Sequence, residues 1–363
     1  MTQVARSLVR WFADLSLADR DKVGGKGASL GELTRAGIRV PPGFVITTTA
    51  FEAFLANVDP AAEIRQEISA LDAADSAGIG EASDRIRRRI RQSAVPSDIA
   101  NEIINAYRRL SGNGNGFPVA VRSSATCEDS DEASFAGLQD TYLWILGEDE
   151  LVAQVCGCWA SLYNNESITY RLRLGIDEQQ LSIAVVVQQM IDAACAGVMF
   201  TRSPTTGDRS VIVVEGSWGL GSCIVNGEVT PDRFVINKVT GEINTRDVSA
   251  KAREHVPDRS TGGVLEQSID DERRDLPCLT DETIRHLWQI ARQVERHYGC
   301  PQDIEWAVPH EPSNPDEPVY LLQSRPETVW ANRELKPTAR PTAKAFDHVV
   351  NLMSAGRSNR ESH

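Results

Sequence analysis

Near the C-terminal end of the chain, polar residues stand two apart among apolar ones in two short segments. Asp303-Ile-Glu305 opens the run Ile304 to Val308, and Gln323-Ser-Arg325 follows Val319 to Leu322. A period of two is the signature of a strand, because residues i and i+2 share one face. Two adjacent strands of this kind would offer Asp303, Glu305, Gln323 and Arg325 to the same side. Carboxylates and an amide oxygen beside a guanidinium make a platform for magnesium and phosphate. An Asp-x-Glu strand on its own also suits a solvated face, so the reading depends on what else the chain supplies.

A polyphosphate site also needs backbone N–H groups that can approach oxygen closely, together with fixed cations. Gly24, Gly25, Lys26 and Gly27 give a cationic loop that feeds a short helix ending at Gly37. Phe117, Val119 and Val121 form a strand that delivers Arg122, and Gly137 lies in a second loop between residues 134 and 142. Taken singly, the glycine cluster also reads as a turn and Arg122 as a surface ion pair; their joint occurrence favours a phosphate site. It is not a P-loop, since Gly27 rather than Ser or Thr follows Lys26. No GxGxxG follows a strand, which disfavours a Rossmann site.

The chain has 363 residues, enough for two or three domains. With 38 basic and 51 acidic side chains the net charge is −13, which argues against a general nucleic-acid partner. Five arginines between Arg85 and Arg91 read as a solvated helix face. The longest apolar candidate, Ile183 to Val187, stops at Gln188 and is far too short to cross a bilayer, and no apolar leader develops at the N-terminus. The expectation is a cytoplasmic protein with no membrane partner. Seven cysteines form no CxxC pair and favour reduced thiols, with Cys156 and Cys158 in a helix surface or core.

Further strands are expected at 182–191, 197–201 and 211–214, a hairpin at 234–243 around Val239-Thr240-Gly241, helices through 50–110 and 148–175, and an amphipathic helix over 280–298. The segment 331–363 changes composition and reads as a tail. Within it Phe346, Val349, Val350 and Met353 would share one side of a docking helix.

Seven blocks carry a specific resemblance. They are Val23-Gly-Gly-Lys-Gly-Ala-Ser-Leu-Gly-Glu32, Val119-Ala-Val-Arg-Ser-Ser-Ala-Thr126, Ala133-Ser-Phe-Ala-Gly137, Gly197-Val-Met-Phe-Thr201, Trp218-Gly-Leu-Gly221, Asp303-Ile-Glu-Trp306 and Gln323-Ser-Arg-Pro-Glu-Thr328. In order and spacing the chain resembles the nucleotide-binding part of the phosphoenolpyruvate synthase family, which includes pyruvate phosphate dikinase, rifampin phosphotransferase and phenylphosphate synthase. The resemblance implies an α/β (α+β) ATP-grasp fold whose two lobes, 1–195 and 196–330, close on ATP and Mg2+. It implies Lys26 and Arg122 on the phosphates, Gly137 in a phosphate-covering loop with Thr141 beyond it, and Gln188 with the backbone near Ile191 at the adenine. Glu305 and Gln323 would bind magnesium with Asp303 in support, and Arg325 would stabilise the transferring phosphoryl group.

Members of that family carry a further domain with a phosphorylatable histidine in a Gly-Gly-rich segment. The six histidines here stand elsewhere, and Thr261-Gly-Gly263 is followed by Val264, Leu265 and Glu266. The expectation is therefore an ATP-binding subunit of a split, AMP-forming dikinase. A separate subunit would carry the histidine and the acceptor site, and the acceptor would be a phenol or cresol as in phenylphosphate synthase. A nucleotide-sensing module and a truncated phosphoenolpyruvate synthase acting on pyruvate stand as alternatives.

Overall fold

The computed structural model describes residues 7–112, 116–126, 129–130, 133–134, 140–312, 314 and 316–330. Gly137 and the apolar stripe from Phe346 to Met353 lie outside them. The chain divides into Met1–Glu327 and Thr328–His363, and every element below belongs to the first unit.

In chain order the first part holds β1 (Val9–Trp11), the helix α1 (Arg20–Arg35), β2 (Gly43–Ile46), four helices α2 (Thr48–Val58), α3 (Glu63–Ser69), α4 (Ser76–Gln92) and α5 (Ser97–Leu110), then β3 (Val119–Ala125). The short strands β4 (Asp129–Ser130) and β5 (Ala133–Ser134) precede β6 (Thr141–Ile145), the helices α6 (Glu148–Ser161) and α7 (Asn165–Leu174), and β7 (Ile183–Gln189). β1, β2, β7, β3 and β6 form an antiparallel sheet in that order. Its central strand β7 is the near-continuous apolar run, buried from Ile183 through Gln188. The helices bury Ile and Phe side chains on one face of this sheet, with Phe54 stacked on Trp159 at 4.6 Å. Cys156 and Cys158 are buried in α6.

The second part runs β8 (Ala193–Phe200), β9 (Val211–Trp218), α8 (Ser222–Val225), β10 (Asp232–Asn237), β11 (Ile243–Asp247), β12 (Arg253–Pro257), β13 (Val264–Ser268), α9 (Asp271–Arg274), α10 (Asp281–Tyr298), β14 (Gln302–Pro309) and β15 (Tyr320–Pro326). Six of these strands form an antiparallel sheet ordered β11-β10-β9-β8-β14-β15, while β12 and β13 pair as a separate hairpin. The amphipathic helix α10 starts at the Thr280 cap, stops at left-handed Gly299, and buries Ile284, Leu287, Ala291 and Val294 on the sheet. Trp306 fills the space between them. Gly197 opposite it has to be glycine, because a Cβ there would come within 2.0 Å of the Glu215 carbonyl oxygen and 2.7 Å of the Trp306 ring.

The strands, hairpin and helices follow the sequence reading with shifted ends. Three points differ. The chain passes from one sheet to the other at residues 190–192, so position 195 falls inside β8. The glycine cluster is not a loop: within α1 two helical segments meet there, broken only at Gly24, where the backbone leaves the helical region. The arginines of α4 are also more engaged than a solvated face requires, since Arg87 and Arg91 reach Asp140, and Arg89 reaches Asp59 and Glu63.

The helix α1 belongs to both sheets. Its residues Val23, Ala28 and Leu30 pack with Val45, Ala184 and Val186 of the first, while Leu33 joins the core of the second. Ser29 Oγ donates to Ser324 O in β15 at 2.6 Å, and the Leu321 N–H donates to Arg39 O at 2.9 Å. The two sheets are thereby stitched together on one side and leave a cleft on the other.

Candidate active site

The kink in α1 sets the first cation. At Gly24 the backbone takes φ +69° and ψ 176°, and a Cβ would lie 2.1 Å from the Ser124 carbonyl oxygen, so only glycine lets the helix approach β3 this closely. Ser124 Oγ fills the break by donating to Val23 O at 2.8 Å and accepting the Gly27 N–H at 3.2 Å. Lys26, in the first turn after the kink, lines the cleft.

Arg122 projects from β3 across to the second sheet. Its Nη2 donates to Glu305 Oε2 at 2.9 Å and to Gln323 Oε1 at 2.6 Å, and Nη1 donates to Leu322 O at 3.1 Å. The last contact has a local cause. Glu305 pairs with Gln323 but Trp306 pairs with Leu321, so Leu322 is an extra residue without a ladder partner on β14. The bulge turns Leu321 into the core and frees the Leu322 carbonyl for Arg122.

On the same face of β14 and β15, Asp303 stands opposite Arg325, with Arg325 Nε 3.4 Å from Asp303 Oδ2. Asp303 Oδ1 is buried with no hydrogen-bond partner among the described residues. Burial raises this carboxyl to about 6; nearby Glu327 pushes the same way and Arg325 opposes both. A lone pair buried without a donor, beside the Glu305 carboxylate and the Gln323 amide oxygen, is a set of hard oxygen ligands of the kind Mg2+ takes. The residues fit that ion, and lone pairs left over from the Arg122 contacts would be available to it.

The far end of the cleft is apolar. Gln189 N–H donates to Pro42 O at 2.9 Å and Met190 N–H to Pro118 O at 3.0 Å, which fixes the passage between the sheets. Gln188 is buried, and its Nε2 donates to Pro41 O at 3.4 Å. Met190, Ile191 and Leu322 pack on Ala193, Ala196, Leu220 and Ala307.

One cleft of about 1230 Å3 is lined by Lys26, Arg122, Thr141, Gln188, Ile191, Asp303, Glu305, Gln323 and Arg325 together. Thus the described residues singled out in the sequence converge on one place. The same cleft has further walls to which the sequence reading gave no site role: Trp144, His255, Leu220 of the Trp218-Gly-Leu-Gly221 block, and Thr261-Gly262-Gly263, read only as lacking a following histidine. Trp144 sits at φ +58°, unusual for a side chain of this size, and its carbonyl accepts the Gly263 N–H at 3.0 Å, tying the β12–β13 turn to the first sheet. The legible signal was Asp258. Its carboxylate accepts the N–H groups of Ser260 and Thr261 and both hydroxyls, an Asx-type turn, and those bonds hold it well below the usual carboxylate range.

The sequence profile of the pyruvate phosphate dikinase AMP/ATP-binding domain matches residues 20–345. Phosphoenolpyruvate synthase of Pyrococcus furiosus is 38% identical over 395 residues, an alignment covering 98% of this chain and 47% of that protein. A probable phosphoenolpyruvate synthase of Staphylothermus marinus is 38% identical over 374 residues, covering 96% and 45%. Rifampicin phosphotransferase of Streptomyces sviceus is 41% identical over 324 residues, covering 88% and 36%. The chain spans about half the length, or less, of these relatives. With its two antiparallel sheets facing one cleft it has the ATP-grasp fold, and it belongs to the pyruvate phosphate dikinase AMP/ATP-binding domain family.

Proposed function

We propose that this chain binds ATP with Mg2+ in the cleft and cleaves it to AMP and phosphate, the γ-phosphoryl group going to water while the β-phosphoryl group passes to a histidine on a partner subunit and then to an acceptor. The observation that carries the reading is the Arg122 bridge from the first sheet to Glu305 and Gln323 on the second. It supports a cleft in which a cation and metal-ligating oxygens meet around one polyphosphate.

In this reading the segments before and after the passage at residues 190–192, expected from the sequence as 1–195 and 196–330, act as the two lobes. Lys26 and Arg122 neutralise phosphate oxygens, and Arg325 meets the charge that develops on the transferring group. Glu305 and Gln323, supported by Asp303, would hold the magnesium, which supplies charge neutralisation between phosphates. Gln188 and the backbone at Ile191 would line the base, against the apolar wall of Ala193, Ala196, Leu220 and Ala307. Thr141, opposite Arg122 in the β3–β6 pairing, would reach the phosphates from the rim, and Gly137, outside the described residues, keeps the phosphate-covering role that the resemblance implies. The protein's contribution is positioning and electrostatics rather than covalent chemistry.

For the acceptor we infer a phenol or cresol. The names of the relatives support a second reading, formation of phosphoenolpyruvate from pyruvate. Both are tested by mixing the chain, ATP, magnesium and the polypeptide bearing the histidine, and following phosphorus NMR with phenol or with pyruvate. The proposal expects AMP and phosphate in equal amounts, with one acceptor phosphorylated. ADP as the product, or AMP formation without the histidine polypeptide, would contradict it.

A further inference from the structure

A second cluster, unused by the phosphoryl chemistry, sits where α8 meets β12. The antiparallel bridge between Leu220 and His255, with the Leu220 N–H 2.9 Å from His255 O, pins the start of α8 against that strand. After α8 the chain curls back through Gly227 at φ +70°, and the Glu228 N–H donates to Cys223 O at 2.9 Å. Glu228 is thereby returned beside Cys223. The Cys223 sulfur, a Glu228 carboxylate oxygen and a His255 ring nitrogen all lie within 4.8 Å of one another, and His255 Nε2 is 3.1 Å from Glu228 Oε2.

One neighbour favours a ligand role over a simple ion pair. Ser222 Oγ is 2.7 Å from His255 Nδ1. If Nδ1 donates that bond, Nε2 presents its lone pair to the cluster, the usual way an outer partner orients a metal-bound histidine. Tetrahedral zinc with bonds of about 2.0–2.3 Å sets its ligand atoms roughly 3.3–3.8 Å apart, so closure requires movements of about 1 Å.

We propose that Cys223, Glu228 and His255 bind a divalent ion of the zinc type, with Ser222 orienting His255 and water in the fourth position. Binding releases the thiol proton, and thiolate plus carboxylate balance the ion's two charges. Sulfur and imidazole donors exclude magnesium, which belongs with the oxygen set of Asp303, Glu305 and Gln323. The two ions therefore sort by donor chemistry within one chain.

The test is titration of the metal-free 363-residue chain with Co2+, an optical stand-in for zinc. One equivalent should give a thiolate-to-cobalt charge-transfer band that Zn2+ bleaches and excess Mg2+ does not. Cys223→Ala should abolish the band, and His255→Gln should weaken binding at least about 10-fold. Circular dichroism establishes that each variant is folded, and Cys223→Ser substitutes should the alanine form fail to fold. Absence of the band in the unaltered chain, or its persistence in the folded Cys223 variant, would overturn the proposal.

Discussion

Lys251 with Asp232, buried beside the second sheet, and Arg122 with Glu305, across the cleft, are both close ion pairs, but their remaining hydrogen-bonding capacity is spent differently. Lys251 Nζ lies 2.6 Å from Asp232 Oδ1 and both side chains are fully buried. The other Asp232 contacts are internal and saturating: it accepts the Ser249 N–H at 2.9 Å and the Cys278 N–H at 2.8 Å, while Lys251 also donates to Ser249 O. Arg122 instead makes its contacts to a partly exposed carboxylate, an amide and a bulge carbonyl, each with lone pairs to spare. The first arrangement has no place for a ligand. The second is a pair with unspent acceptor capacity at a cleft, ready to share oxygens with one. Proximity of opposite charges therefore does not mark a site; incomplete satisfaction at a cleft does.

Breaking the saturated pair should have the largest effect. Asp232→Ala leaves a buried ammonium without its carboxylate and two main-chain N–H groups without acceptors, and should cost about 3–5 kcal/mol in denaturant unfolding. Adding Lys251→Met should recover only part of that loss, because the Ser249 and Cys278 N–H groups stay orphaned. Full recovery would show that the pair, and not its network, carries the stability.

Arg122→Ala sharpens the comparison from the other side. Unfolding should shift by no more than about 1 kcal/mol, since Glu305 is partly hydrated already. ATP cleavage in the reconstituted system should fall about 10²–10³-fold, or about 2.7–4 kcal/mol in barrier. A large loss of stability with cleavage intact would reverse the assignment of the two pairs.

Gly24→Ala, at a position where the left-handed backbone and the Ser124 carbonyl both exclude a Cβ, should destabilise by roughly 2 kcal/mol. Because the kink presents Lys26, ATP affinity should drop with it, and calorimetry alongside thermal unfolding separates the two effects.

The smallest effect is expected at the hairpin turn. Asp258→Ala should loosen residues 258–263, raising their hydrogen exchange while the sheets remain protected. The sign of the pH dependence follows from the depressed carboxyl: its contribution is complete above the unfolded value near pH 4 and is lost only as acid protonates it. Exchange in the turn should therefore rise on acidification in the native chain and stay flat in the variant, once intrinsic rates are subtracted.

The polar end of the cleft was legible in the sequence because its chemistry is written in side chains. Asp303, Glu305, Gln323 and Arg325 share a face by strand periodicity alone, and the bulge at Leu322 does not break that register at the residues concerned. The apolar end was less legible. Its shape comes from main-chain bonds of Gln189 and Met190 to the carbonyls of Pro42 and Pro118, distant in sequence and invisible to any local pattern. The same holds for α1. Glycines read as a loop became a kinked helix, since the Ser124 side chain replaces the interrupted hydrogen bonds from about a hundred residues away. His255 and Trp144 reach the cleft through a hairpin and a left-handed residue that periodicity does not signal.

The most direct test of the two-sheet site is calorimetric titration of ATP into the chain with and without magnesium, repeated with Glu305→Gln. The account predicts one ATP per chain, tighter binding with magnesium, and loss of that magnesium increment in the variant while metal-free ATP binding persists. Magnesium-independent binding in the unaltered chain, or an undiminished increment in Glu305→Gln, would contradict the placement of the metal between β14 and β15.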